Sequence, residues 1–98
     1  SSGSSQSEAA ERKKLEKDVR RMRSEVNKLE NEITKLEEQV DQLNKESAEL
    51  DFSDQEEVRM KFEKVTQVKE KLAATEKKWE RAASDLEKAE SELKEISQ

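Results

Sequence analysis

A chain of 98 residues with 46% charged and 30% hydrophobic side chains, three aromatics and a net charge of −5 cannot fill a compact globular core, because so small a domain already buries a poor fraction of its surface. Two states fit that composition: disorder, whose signature is low hydrophobicity with high charge, or long helices sharing a narrow apolar seam. The absence of Pro and the single Gly3 favour helix, since nothing beyond the first few residues breaks one.

Residues 1–7 form a Ser/Gly/Gln run, expected as a flexible tail or the remnant of an added linker. A first helix is predicted over residues 8–50. From Leu15 the apolar residues alternate at spacings of four and three, through Val19, Met22, Val26, Leu29, Ile33, Leu36, Val40 and Leu43 to Leu50. With Val19 as heptad position a, ten of the eleven a and d positions from Leu15 to Leu50 are apolar, and only Ser47 is polar. A seven-residue repeat over two turns winds left-handed around a partner helix.

A second seam runs through Val58, Val65, Val68, Leu72, Trp79, Ala82, Leu86, Ala89, Leu93 and Ile96, with Lys61 and Thr75 as its polar exceptions. It is shifted by four residues from the first. Such a shift is either a stutter in one continuous rod or a reversal of the chain between two helices. The intervening DFSDQEE favours reversal, with a turn at residues 51–53 and a second helix over 54–97. There Ser53 followed by Glu56 makes a capping-box pattern, and Asp54, Glu56 and Glu57 place acids in the first turn. Charge agrees near the turn, where Lys64, Lys71 and Lys78 at g would face Glu25, Glu32, Gln39 and Glu46. Towards the termini, Asp18 and Glu25 would face Asp85 and Glu92, which is unfavourable. The β-branched a positions of the first helix suit a parallel pair, whereas Ala82 and Ala89 suit close pairing with Val19 and Val26. The fold class expected is therefore all-α, a coiled coil folded as a two-helix antiparallel hairpin. A continuous helix in a parallel dimer is the runner-up.

Catalytic chemistry finds little to work with. The chain has no His, Cys or Tyr, which removes the usual acid-base groups, nucleophiles and soft metal ligands. Carboxylates on open helix faces lack the cleft that general acid-base work requires. No glycine-rich loop cradles phosphate, and no calcium-loop pattern occurs. The reading is a non-enzyme with no cofactor and no metal. No apolar run approaches a membrane span and no signal-peptide pattern opens the chain, so an intracellular, cytoplasmic setting is expected.

Two surface features qualify as binding candidates. Between residues 12 and 23 lie Arg12, Lys13, Lys14, Lys17, Arg20, Arg21 and Arg23 against only Glu16 and Asp18. Five of the seven fall at the outward b, c or f positions, as a stripe for nucleic acid, an acidic protein or anionic lipid would. The large apolar residues off the seam, Phe52, Met60 and Phe62, all lie near the turn. They would either pack over the closed end of a hairpin or form a patch for a protein partner.

The stretch LEEQVDQL, then DFSDQEE, then KLAATEKKWE with Trp79, about half of the chain, resembles the C-terminal coiled-coil domain of Uup-type ABC-F ATPases. The second helix runs further past Trp79 than in that pattern, and no ATPase signature precedes the first helix. The resemblance implies an antiparallel hairpin that contacts DNA or RNA through the basic residues of the 12–23 run. The function expected is a non-catalytic coiled-coil module, a protein-interaction or oligomerisation arm or spacer of a larger protein. Its partner would be a protein, or a second copy held through the seam. The alternative is a nucleic-acid-binding arm.

Overall fold

The computed structural model describes residues 2–97, with side chains from residue 6 onward. The described residues form two helices, α1 (Ser2–Ala48) and α2 (Gln55–Ser97), folded back on one another as an all-α, antiparallel coiled-coil hairpin. The chain reverses at residues 49–54, so the four-residue phase shift between the seams is a turn and not a stutter in a continuous rod.

Burial follows the heptads closely. Every a and d position from Leu15 to Leu50, and every one from Val58 to Leu93, is buried or half-buried, while Ile96 at the end of the second seam is exposed. Each well-buried Val or Leu contributes about 1.5–3 kcal/mol, against about 0.2–1 kcal/mol for an exposed ion pair. The seam therefore dominates the stability.

The hairpin divides into two compact units, Ser1–Lys28 with Trp79–Gln98, and Leu29–Lys78. In the first unit Val19, only 2% exposed, is buried with Val26 and Ala89. Leu15, Met22, Trp79, Ala82, Leu86 and Leu93 are half-buried around them. Arg23 reaches across the helices to Glu90, with Nη2 donating to the carboxylate at 2.8 Å. This pair joins e positions, whereas the expected charge pattern weighed only g against g.

The second unit is built on Leu36, Leu43 and Val68, with Val40, Val65 and Leu72 packed against them. Its polar seam residues are all accommodated. Ser47 Oγ donates to the Leu43 carbonyl at 2.8 Å, and Thr75, 4% exposed, donates through Oγ1 to the Lys71 carbonyl at 2.8 Å. Lys61 extends its ammonium to Glu46 at 2.8 Å. Among the described residues it is Lys61, and not the g-position Lys64, Lys71 or Lys78, that makes the ion pair across this unit.

The turn differs in detail from its prediction. α1 ends at Ala48, and Glu49 and Leu50 tighten into i→i+3 bonds to the carbonyls of Glu46 and Ser47 at 3.1 and 3.4 Å. Leu50 thus stays half-buried although it lies outside the helix. Asp51 to Asp54 close a β-turn through the Asp54 amide and the Asp51 carbonyl at 3.1 Å. Within it the Asp51 carboxylate accepts from the Ser53 amide at 3.0 Å and from the Ser53 hydroxyl at 2.6 Å. Among the described residues none adopts positive φ, which explains a turn made without glycine. The helix cap is Asp54, whose Oδ1 accepts from the Glu57 amide at 3.1 Å. The expected Ser53/Glu56 capping box is therefore displaced by one residue, because Asp51 has taken the Ser53 hydroxyl. α1 starts at Ser2, inside the segment expected as a tail. Extending an existing helix fixes one residue per hydrogen bond gained, at far less cost than nucleating one.

Candidate interaction site

All seven basic residues of the 12–23 run are exposed on α1, yet their neighbours divide them. Arg12 lies 3.9 Å from Glu16 and Arg21 lies 3.8 Å from Asp18, both along the helix. Arg23 is committed to Glu90. Among the described residues Lys13, Lys14, Lys17 and Arg20 have no ion pair. Lys13, Lys17 and Arg20, spaced by four and three residues, share one outward face. Lys28 continues the column begun by Lys14 and Arg21 at intervals of seven, a signal lost by ending the run at Arg23. The α2 segment of the same unit is acidic: Glu80, Asp85, Glu87, Glu90, Glu92 and Glu95 outnumber Arg81, Lys88 and Lys94.

The off-seam apolar residues do not pack over the closed end. Phe52, Met60 and Phe62 are 66%, 59% and 62% exposed. Met60 at c and Phe62 at e lie about 200° apart around α2, so the helix carries them to different flanks. Met60 lines a shallow depression with Asp54, Glu56, Glu57, Lys61 and Lys64, while Phe62 lines another with Arg59, Glu63 and Thr66. The anticipated single patch is thus an apolar anchor on each flank of the turn, with Phe52 in the turn itself.

The turn itself is acidic: residues 46–58 contain six carboxylates and no basic residue, a concentration easily missed beside the basic run at 12–23, while Arg59, Lys61 and Lys64 follow directly on α2. Two of these groups are held below their ordinary pKa. Asp51 is lowered first by the Ser53 hydroxyl and then by the Ser53 amide. Glu46 is lowered first by the hydrogen bond from Lys61, then by one from Gln42, then by the Lys61 charge. Arg59, gripped by Glu56 and Glu63, is raised above its usual range, chiefly by the Glu56 hydrogen bond. These shifts arise from solvent-facing pairs, a surface pattern rather than the enclosed one of a catalytic cleft.

Among the described residues no cluster of three or more potential metal ligands occurs. None of the described helices is long and apolar enough to cross a membrane. Set against known proteins, the chain matches no family model, no curated protein and no solved structure.

Proposed function

We propose that this chain is a non-catalytic coiled-coil module, a protein-interaction arm or spacer of a larger protein, whose docking surface is the closed end of the hairpin. The observation that carries this reading is the division of its apolar residues. The seam is occupied by the chain's own two helices, while Phe52, Met60 and Phe62 stand exposed within eleven residues of sequence. Exposed apolar residues scattered singly are ordinary; large ones gathered around an acidic turn suit a partner surface that is basic and apolar.

Selection of random displayed peptides on the immobilised hairpin tests this. Recovered sequences should be enriched in Lys or Arg together with aliphatic or aromatic residues, and F52S/M60S/F62S should abolish their capture. Peptides of no common chemistry, or capture unaffected by that variant, would sink the reading.

Nucleic-acid binding is the second reading, supported by the unneutralised Lys13, Lys14, Lys17 and Arg20 and by the ABC-F resemblance. It requires affinity for a short duplex or single strand that falls steeply with salt. R20E/R21E should abolish that affinity. Failure of the unaltered hairpin to bind either probe at about 50 mM salt removes this reading.

A further inference from the structure

We propose that the partner of the closed end is a second copy of this chain: Phe52 and Met60, with Asp54 and Glu57, dock on the Lys13, Lys17 and Arg20 face of another copy's α1. The inference rests on the closed end being a docking surface and adds what it docks on. Exposed apolar anchors at Phe52 and Met60 call for an occupant, and charge selects it. Of the six carboxylates at residues 46–58, Glu46 and Glu56 are neutralised by Lys61 and Arg59, and two closed ends meeting face to face would still oppose Glu49, Asp51, Asp54 and Glu57 to their own kind, a like-charge contact that costs rather than stabilises. The run at 12–23 is where the chain concentrates basic charge, seven basic residues against two acids in a molecule of net charge −5.

The form of the basic face also favours a small acidic protein surface over a polyanion. It is bordered by Glu16 and Asp18 on α1, and the α2 segment of its unit is acidic. A duplex laid along it would approach those carboxylates to within the Debye length of about 8 Å, whereas a turn is narrow enough to engage α1 alone. No aromatic residue interrupts the run to stack on bases. Long Lys and Arg stems, by contrast, give apolar cover to Phe52 and Met60, and guanidinium against the Phe52 ring adds a cation–π contact. Because two different patches meet, the contact is heterologous. Such contacts close into rings when the rotation permits and otherwise add copies without limit.

Sedimentation equilibrium on the whole chain decides the matter. The average mass should rise above 11.4 kDa with concentration at about 0.05 M salt and return towards it at about 0.5 M, where surface charges are screened. F52S/M60S, which lacks the anchors, and K13E/K17E/R20E, which lacks the basic face, should each remain monomeric. Circular dichroism should show both variants to be as helical as the parent. Mixed in equal amounts they should form a one-to-one dimer and stop, since only one intact anchor and one intact face remain. A parent chain that stays monomeric at low salt overturns the inference; basic, apolar peptides captured by Phe52 would still uphold the closed end as a docking surface. Association that survives F52S/M60S overturns the inference too, and peptide capture alone then decides the closed end. Loss of association in each variant without recovery on mixing rules out the heterologous contact. If K13E/K17E/R20E abolishes binding of a DNA duplex and leaves the sedimentation unchanged, the basic face serves nucleic acid and the proposal fails.

Discussion

Asp54 caps α2 as the outcome of a competition between neighbours. Ser53 with Glu56 and Asp54 with Glu57 both satisfy the capping pattern, and they differ by one position. Asp51 resolves it by accepting both the amide and the hydroxyl of Ser53, which leaves Asp54 to accept from the Glu57 amide. D54A should therefore cost about 1 kcal/mol in urea unfolding, and S53A clearly less; equal losses would return the cap to Ser53. Glu46 lends itself to a pH test. A carboxyl whose folded pKa is depressed contributes stability above its unfolded pKa of about 4.3, and that contribution is lost as pH falls through the lower folded value. E46Q should thus melt below the parent at neutral pH, with the two converging as pH is lowered from about 5 to about 2. A gap that persists to the acid limit would show that Lys61 does not act through the Glu46 charge.

Each helix carries polar residues on its seam, and their hydrogen bonds show how they are tolerated. Ser47 and Thr75 donate to carbonyls four residues back, an arrangement that slightly destabilises helices. Thr75→Val exchanges the hydroxyl for a methyl and Ser47→Val does so and adds a second one; neither leaves a donor orphaned, because the carbonyl keeps its backbone partner. S47V and T75V should each raise stability by about 0.5–1 kcal/mol. The fuller variant S47V/K61L/T75V should also lose specificity, since polar seam residues fix partner and register at a cost in stability. A seam-paired dimer should then appear in light scattering at high salt, and a strictly monomeric triple variant would refute this role. The seam itself was legible at this scale, because a repeat of seven leaves its mark on every residue that it buries. Lys61 was legible as an exception but its partner was not, since nothing in the periodicity weighs a d-position lysine against a g-position glutamate. The Arg23 and Glu90 pair was not legible from g-to-g complementarity, because both residues sit at e. The exposure of Met60 was legible from its outward c position, whereas that of Phe62 at e and of Phe52 in the turn was not, because heptads are silent about the edge of the seam and about turns. Similarly, the basic run was plain in the sequence, but which members are neutralised depends on neighbours three and four residues away and across the hairpin.

For the molecule as a whole, one discontinuity chose between hairpin and rod. A shift of four in the apolar phase is ambiguous alone, and the acids of residues 51–57 with the Ser53 hydroxyl resolve it by offering the backbone local partners that a continuous helix would not use. The β-branched a positions of the first seam pointed towards a parallel pair, and the turn overrode them.

That turn also sets an order of events. The bridge from Lys61 to Glu46 spans 15 residues and that from Arg23 to Glu90 spans 67, so the second closure costs about 1.3 kcal/mol more loop entropy. Folding should begin at the bend and proceed outward. In stopped-flow measurements D54A should slow folding, whereas V19A should mainly hasten unfolding; the opposite assignment would place the nucleus elsewhere. Closing a loop of this size takes on the order of 100 ns. At about 1 μM, meeting a second chain at a typical on-rate takes on the order of a second. A nascent chain therefore finds its own other half millions of times sooner than it finds a sibling, and the bend wins the seam by arriving first.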